Sequence, residues 1–442
     1  MDLLITNATV VTMNAAREVL VGVEIWIQDG RILEVGRRLK KKQSAPRRVL
    51  DASGQVVLPG LIHGHLHACQ TLFRNLADGL DLLAWLRQRI WPLESVHDER
   101  SMRASADLSF AELIKGGSTA ALDMGVVRHT DAIFESARDC GFRLTGGKAM
   151  MDLGSDLPPA LLETTADSFA ESERLIKAWH GAADKRLRYA MAPRFVLSCT
   201  EDLLRGVAEK SRELSVRIHT HASENASECE AVRKRTGKDN VEYLHSLGLS
   251  GKDVVLAHCV WLRPEEHRIL SETGTSVCHC PSANLKLASG LARVPELLNQ
   301  GVNVCLGADG AACNNNLDIF TEMRLAALIH KPRAGAASMP PARVLEMATL
   351  GGAKALGLEE EIGSIEPGKR ADLTVVDLSA VHTGPEGDLL GRLVHSARSS
   401  DVVHVIIDGK MVMRDRQLLT LDESAVVAAA RDHAHRLAAK VS

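Results

Sequence analysis

The apolar positions of this chain change rhythm twice. Up to about residue 56 they come in short runs rich in β-branched side chains, at Leu3–Val11 and 23–27. Asp29-Gly30 then offers a two-residue turn into a third run at 31–35. The far end has the same grammar. ADLTVVD at 371–377 reads as a strand, and the run 403–407 turns at Asp408-Gly409 into 410–413. IQDGRILEVG near the start and IIDGKMVMRD near the end are two hairpins of one design. The two ends are therefore expected to pair into one composite β-sandwich, residues 1–56 plus 363–421, followed by a closing helix in 422–442. Three lysines at 40–42 read as a solvated turn.

Between them, residues 57–362 alternate short apolar runs with helical stretches. The runs are 56–62, 119–124, 143–151, 187–196, 216–221, 254–258, 276–280 and 302–307. They are apolar without alternation, as parallel strands covered on both faces must be. Eight such units predict a (β/α)8 TIM barrel for this region. An open doubly wound sheet is the other solution, but no GxGxxG follows a first strand.

Composition narrows the function. Hydrophobic residues make up 45% and charged residues 25%, the balance of a folded globular chain rather than a disordered one. The formal charge of −3 supplies no basic face for nucleic acid and no polybasic membrane patch. With 3% aromatics there is no stacking platform for single strands either. The N-terminus begins with an acid and lacks a basic segment and a small-residue cleavage site, and no apolar run nears the roughly 18 residues that span a bilayer. A cytoplasmic location is expected. The nine cysteines are odd in number and contain no CxxC pair, so they read as reduced, packed thiols.

The candidate chemistry sits where predicted barrel strands end, the face on which barrel enzymes carry their sites. In LPGLIHGHLHACQ, His63, His65 and His67 alternate, so along an extended chain His65 and His67 point to one side and can reach one ion. VRIHTHASEN repeats the pattern with His219 and His221 and adds Glu224. VVLAHCVWL ends a strand on His258, and VCLGADGAACNNN places Asp309 after a buried run. Any one of these alone reads as a core histidine or a helix cap. Imidazoles and a carboxylate converging on one barrel mouth are the donor set that a borderline cation such as zinc prefers.

His-x-His after the first strand, His after the fifth and sixth, and Asp after the eighth resemble the amidohydrolase superfamily. DLLAWLRQRIWPLE, HASEN, AHCVWL, HCPSANLKLASG and LGADGAACNNNLDIFTEMRLAALI look like its branch of 5′-deoxyadenosine, methylthioadenosine and S-adenosylhomocysteine deaminases. The likeness covers nearly the whole chain. It implies that His65, His67, His221 and Asp309 hold the metal, that His258 polarises or holds the attacking water, and that Glu224 shuttles protons. It further implies that Trp85 and Glu94 shape a nucleoside pocket, Glu94 gripping ribose hydroxyls. The fourth strand, LRYAMAPRFV, contains no Lys, Asp or Glu to bridge two ions, so one divalent metal per chain is expected: zinc first, with iron(II) or manganese(II) suited by the same ligands. The implied reaction is hydrolytic deamination of an adenosine-type nucleoside to the inosine analogue and ammonia.

Two positions depart from the S-adenosylhomocysteine pattern. Arg194 stands where many relatives carry His, and Lys148 where some carry Arg. Either could hold a homocysteine carboxylate, which leaves the 5′ substituent open. Asn284 is expected to order its loop or touch the ligand. His279 reads as a strand-end polar residue, and the scattered histidines from His129 to His435 as surface or packing. Glu322, Met323 and Arg324 read as structural, at a subunit contact, since a homo-oligomer is implied by the resemblance. The rival substrates for the same metal site are guanine, a pterin, cytosine or a triazine. Glu224 favours ammonia over chloride as leaving group, because chloride needs no proton. A non-catalytic assembly subunit would have lost ligands first, and all five positions are filled.

Overall fold

The computed structural model describes residues 2–37, 39 and 45–441, so the lysine run at 40–42 lies outside the described residues. Five strands open the chain: β1 (Leu3–Val11), β2 (Val19–Gln28), β3 (Arg31–Gly36), β4 (Arg48–Asp51) and β5 (Gln55–Pro59). The barrel follows, from β6 (Leu61–His67), β7 (Ser118–Met124), β8 (Arg143–Gly147), β9 (Ala149–Met150) and β10 (Leu187–Pro193) to β11 (Arg217–Ala222), β12 (Val254–His258), β13 (Ser276–His279), β14 (Val304–Leu306) and β15 (Asp309–Gly310). The last strands are β16 (Leu373–Asp377), β17 (Val402–Ile407), β18 (Lys410–Arg414) and β19 (Gln417–Leu418).

Both termini do share one sheet, in the order β19-β18-β17-β16-β5-β1-β2-β3, with β4 beside β1. The sheet folds over on itself around Ile5, Val10, Ile25, Ile27, Val57, Leu373 and Ile406 to make the sandwich. Its two hairpin turns meet. A Cβ on Gly409 would sit 2.7 Å from the Gly30 Cα, and Asp29, Gly30, Asp408 and Gly409 all have positive φ. Left-handed pairs of this kind match the twist of the strands they join, which is why Asp-Gly marks both turns.

The barrel strands all run parallel. β8 and β9 are one stave broken at Lys148, and β14 and β15 are one stave interrupted at 307–308. β14 pairs with β13, while β15 pairs with β6 through Asp309 opposite Leu66, so the eighth stave closes on the first. The expected strand 56–62 is in fact two. β5 pairs with β1 and β16 in the sandwich, whereas β6 enters the barrel. Gly60 makes the corner, where a Cβ would lie 2.0 Å from Thr119 Oγ1. A continuous apolar run is buried in both sheets alike, so it cannot show where one sheet gives way to the other.

Helices alternate with the staves. Glu99–Lys115 begins at a capping box in which Asp98 and Ser101 satisfy each other's backbone N–H. The closing helix, Glu423–Val441, turns Val426, Ala430 and Leu437 inward and reaches that helix through Lys115 and Glu423, 2.8 Å apart. No helix among the described residues is long and apolar enough to cross a membrane.

Candidate metal centre and active site

β6 delivers three histidines in alternation, and their partners sort them. His63 Nδ1 accepts the Ala308 N–H at 3.2 Å, and its Nε2 lies 3.1 Å from Ser118 Oγ. Both nitrogens are used, stitching the first stave to the second and the last. His65 and His67 face the barrel mouth instead.

There the proton positions can be deduced. His67 Nδ1 lies 2.7 Å from the Met124 carbonyl, and His221 Nδ1 2.7 Å from the Arg194 carbonyl. A carbonyl only accepts, so both Nδ1 atoms carry hydrogen. Burial pushes both rings below the usual histidine range, His67 to about 4, so they are neutral. Their Nε2 lone pairs therefore face each other at 3.1 Å with no proton between them. His65 Nε2 points to Asp309 Oδ1 at 3.2 Å, and the Nε2 atoms of His65 and His258 are fully buried without a hydrogen-bond partner. Bare imidazole nitrogens turned on one another, as in His67 and His221, repel unless a cation lies between them, so the donors fit a divalent metal. Three overlapping sets place ligand atoms within 4.8 Å of one another: His65, His67 and Asp309; His65, His221 and His258; and Glu224, His258 and Asp309.

His258 is aimed from behind. Its Nδ1 lies 2.8 Å from Asn284 Oδ1, and its Nε2 stands 3.5 Å from Glu224 Oε2 and 3.7 Å from Asp309 Oδ2. Glu224 is buried, and burial together with the nearby carboxylates of Asp309 and Glu228 pushes its carboxyl well above the usual range. That environment favours its neutral, protonated form. Glu228 accepts the backbone N–H groups of Glu224 and Asn225 at 2.7 and 3.3 Å and so fixes the turn. The strand ends that carry these groups are strained. Ser223, His258 and Asp309 have φ of 53°, 74° and 62° without being glycine. Each such residue costs of order 1–3 kcal/mol, which the surrounding packing must sustain.

The cavity at this cluster is lined by apolar Leu82, Trp85, Leu86 and Phe195 and by polar His221, Glu224, His258 and Asp309.

Residues 56–412 match the amidohydrolase family. The chain belongs to that family. It is 39% identical over 442 residues to a 5′-deoxyadenosine deaminase of Methanosarcina acetivorans, covering 100% of this chain and 99% of that protein. It is 38% identical to a 5-methylthioadenosine/S-adenosylhomocysteine deaminase of Syntrophomonas wolfei, covering 100% of both. A zinc-bound adenosine deaminase from Xanthomonas campestris superposes with a TM-score of 0.93 at 33% identity, over 99% of each chain.

Within this amidohydrolase, the two cations expected near the 5′ end are engaged elsewhere. Arg194 holds Glu94 through both guanidinium nitrogens, at 2.5 and 3.1 Å, and Gln70 adds a third bond to that carboxylate at 2.9 Å. Glu94, expected to grip ribose, thus sits behind Arg194 rather than on the cavity wall. Lys148 is fully buried, 2.5 Å from Glu163 and 3.2 Å from Ser168, and does not line the cavity. Glu322 and Met323 are buried within the chain and cannot meet a second subunit, whereas Arg324 is exposed and bonded to the His395 carbonyl. His279 is buried, its Nε2 3.3 Å from His330 Nε2. Sequence reading gave no role to Gln70, Phe195 or Glu228. Only Glu228 left a signal, the Asn225-x-x-Glu228 capping box that opens the helix Ala226–Thr236.

Proposed function

We propose that this amidohydrolase is a metal-dependent deaminase that hydrolyses the 6-amino group of an adenosine-type nucleoside, with His65, His67, His221 and Asp309 as ligands of one zinc ion. The observation that carries this reading is the pairing of bare, facing imidazole nitrogens with the buried Glu224 carboxyl, whose protonated form burial favours, on one small cavity. A bound divalent cation supplies a water acidic enough to attack near neutral pH. Asp309 and His258 take and hold the proton that this water sheds. Glu224 gives its proton to the ring nitrogen N1, which makes C6 electrophilic, then takes the proton of the hydroxyl added at C6 and passes it to the amino group, which leaves as ammonia; the proton held by Asp309 restores the acid form of Glu224. A leaving amine needs that second proton, and Glu224 is the acid we assign to give it. The three proteins named above are deaminases of adenine nucleosides, and their names bring the substrate class to this chain.

The 5′ substituent follows from charge. Among the described residues, Arg194 is the one guanidinium or ammonium group on the cavity wall, and Glu94 already neutralises it. A homocysteine carboxylate brought there would have to compete with a buried bidentate pair. Uncharged substituents, as in 5′-deoxyadenosine or methylthioadenosine, face no such competition. The test is to follow loss of adenine absorbance for adenosine, 5′-deoxyadenosine, methylthioadenosine and S-adenosylhomocysteine with metal-loaded protein. Turnover led by the uncharged pair is the expected result. No turnover of any of the four, with one metal bound per chain, would move the substrate to another amino-heterocycle.

A further inference from the structure

His219 lies outside the ligand set proposed above, yet it touches it. Its Nε2 is 2.8 Å from His65 Nδ1, both rings are fully buried, and its Nδ1 has no hydrogen-bond partner. Two proton arrangements satisfy that contact. In the first, His219 Nε2–H donates to His65 Nδ1. His65 then carries its own hydrogen on Nε2, where Asp309 Oδ1 accepts it at 3.2 Å, and no lone pair is left for an ion. In the second, His65 Nδ1–H donates to His219 Nε2, and the lone pair of His65 Nε2 faces the Asp309 carboxylate. Only the second arrangement can ligate.

The other two histidine ligands have no such freedom, because each donates Nδ1–H to a backbone carbonyl that cannot donate back. His65 alone is backed by a group that can play either part. The geometry points to His219 as the residue that sets the His65 tautomer: it accepts the His65 Nδ1 proton when metal binds, and so tunes how tightly the ion is held. His219 is a positioning residue, acting on the ion only through His65. The inference rests on the metal reading above.

The test uses the full-length protein stripped of metal and retitrated with Zn2+ against a chromogenic chelator. His219→Leu keeps bulk and removes the acceptor. His219→Gln keeps a carbonyl oxygen near the place of Nε2. We expect His219→Leu to weaken zinc binding about 10- to 100-fold, the usual loss when a ligand's hydrogen-bond partner is removed. His219→Gln should recover most of that loss, with metal-free melting temperatures alike in all three proteins. Should the leucine protein not fold, His219→Asn, polar but one methylene too short to reach His65, takes its place with the same expectation. Equal zinc affinity in the leucine (or asparagine) variant and the unaltered protein would overturn the inference while leaving the metal site standing. So would a glutamine variant no better than leucine. Failure of the unaltered protein to bind zinc at one per chain would instead remove the metal reading itself.

Discussion

The barrel carries an ionic cluster at each end, and the two obey opposite rules. At the base, Arg143 is held by Asp372 through two bonds of 2.7 and 3.0 Å, and Asp372 also accepts the Asp408 N–H at 2.7 Å. Arg370 joins Asp408 at 2.8 Å, and Arg370 and Arg31 share Glu361 at 3.3 and 3.0 Å. Every one of these guanidinium groups has a carboxylate, and the network ties the start of β8 to the sandwich. At the mouth, imidazole nitrogens face one another without a proton, His65 Nε2, His258 Nε2 and His219 Nδ1 lack any hydrogen-bond partner, and burial favours the protonated form of the acid beside them. A satisfied network holds the fold together. An unsatisfied one, kept in place by strained strand ends, is the mark of a functional site.

If that contrast is right, breaking the mouth should cost activity and not stability. The largest effect is expected for Asp309→Asn, which removes both a proposed ligand and a base. kcat/KM should fall about 10^4-fold, the upper range for loss of a general base, and metal content should drop below one per chain while the melting temperature holds. Retained activity with full metal would break the assignment. Glu224→Gln should come next, with kcat down about 10^2- to 10^4-fold and KM little changed. Its pH profile sharpens the point. Because the Glu224 pKa is raised, the acid form is the working one, and the unaltered enzyme should lose rate as pH rises through that pKa. The glutamine variant should show no such alkaline limb. A variant that kept the limb would move the proton donor elsewhere.

The same contrast explains what the sequence could and could not tell. The eight staves and both Asp-Gly hairpins were legible because apolar runs and turn residues are local signals. His65, His67, His221, His258 and Asp309 were legible as strand-end residues because parallel strands of a barrel end on one face. The corner at Gly60 was hidden, since burial looks alike in both sheets. Arg194 and Glu94 stand a hundred positions apart, and nothing local says that they neutralise each other rather than a substrate. His219 was visible beside His221, but that its ring backs His65 is a fact of two strands facing across the barrel, not of spacing along one. Glu322 was read as facing another subunit because one helix shows its polar residues and not what packs on them.

Breaking the base should do the reverse. Asp372→Asn leaves the Arg143 guanidinium buried without its partner, both side chains being almost wholly enclosed (4% and 1% exposed). Loss of one member of such a pair costs about 3–5 kcal/mol. A fall in melting temperature is therefore expected, with kcat per folded, metal-loaded chain unchanged. A loss of kcat at full folding would mean that the two ends are coupled and that the contrast drawn above is too sharp.

The smallest effect tests the ground between the ends. Glu322 is fully buried, accepts from Ser282 Oγ at 2.5 Å, Ser282 N at 3.1 Å and Asn314 Nδ2 at 2.9 Å, and thereby pins the short helix Pro281–Lys286 that carries Asn284 to His258. Burial pushes its carboxyl from 4.5 up to about 7. A group whose pKa is raised on folding adds stability while it is neutral, fully so below the unfolded value near 4.5, and loses it as pH rises through about 7. Between those limits the loss amounts to at most about 3 kcal/mol. Glu322→Gln cannot titrate, so melting curves of the two proteins should diverge over that window, moving against the unaltered protein as pH rises. Asp123 and Glu266, also raised to about 7, titrate alike in both and cancel in the difference. Parallel melting temperatures across pH 4.5 to 7 would mean that Glu322 stays ionised on its three donors, and that hydrogen bonding at this site outweighs burial.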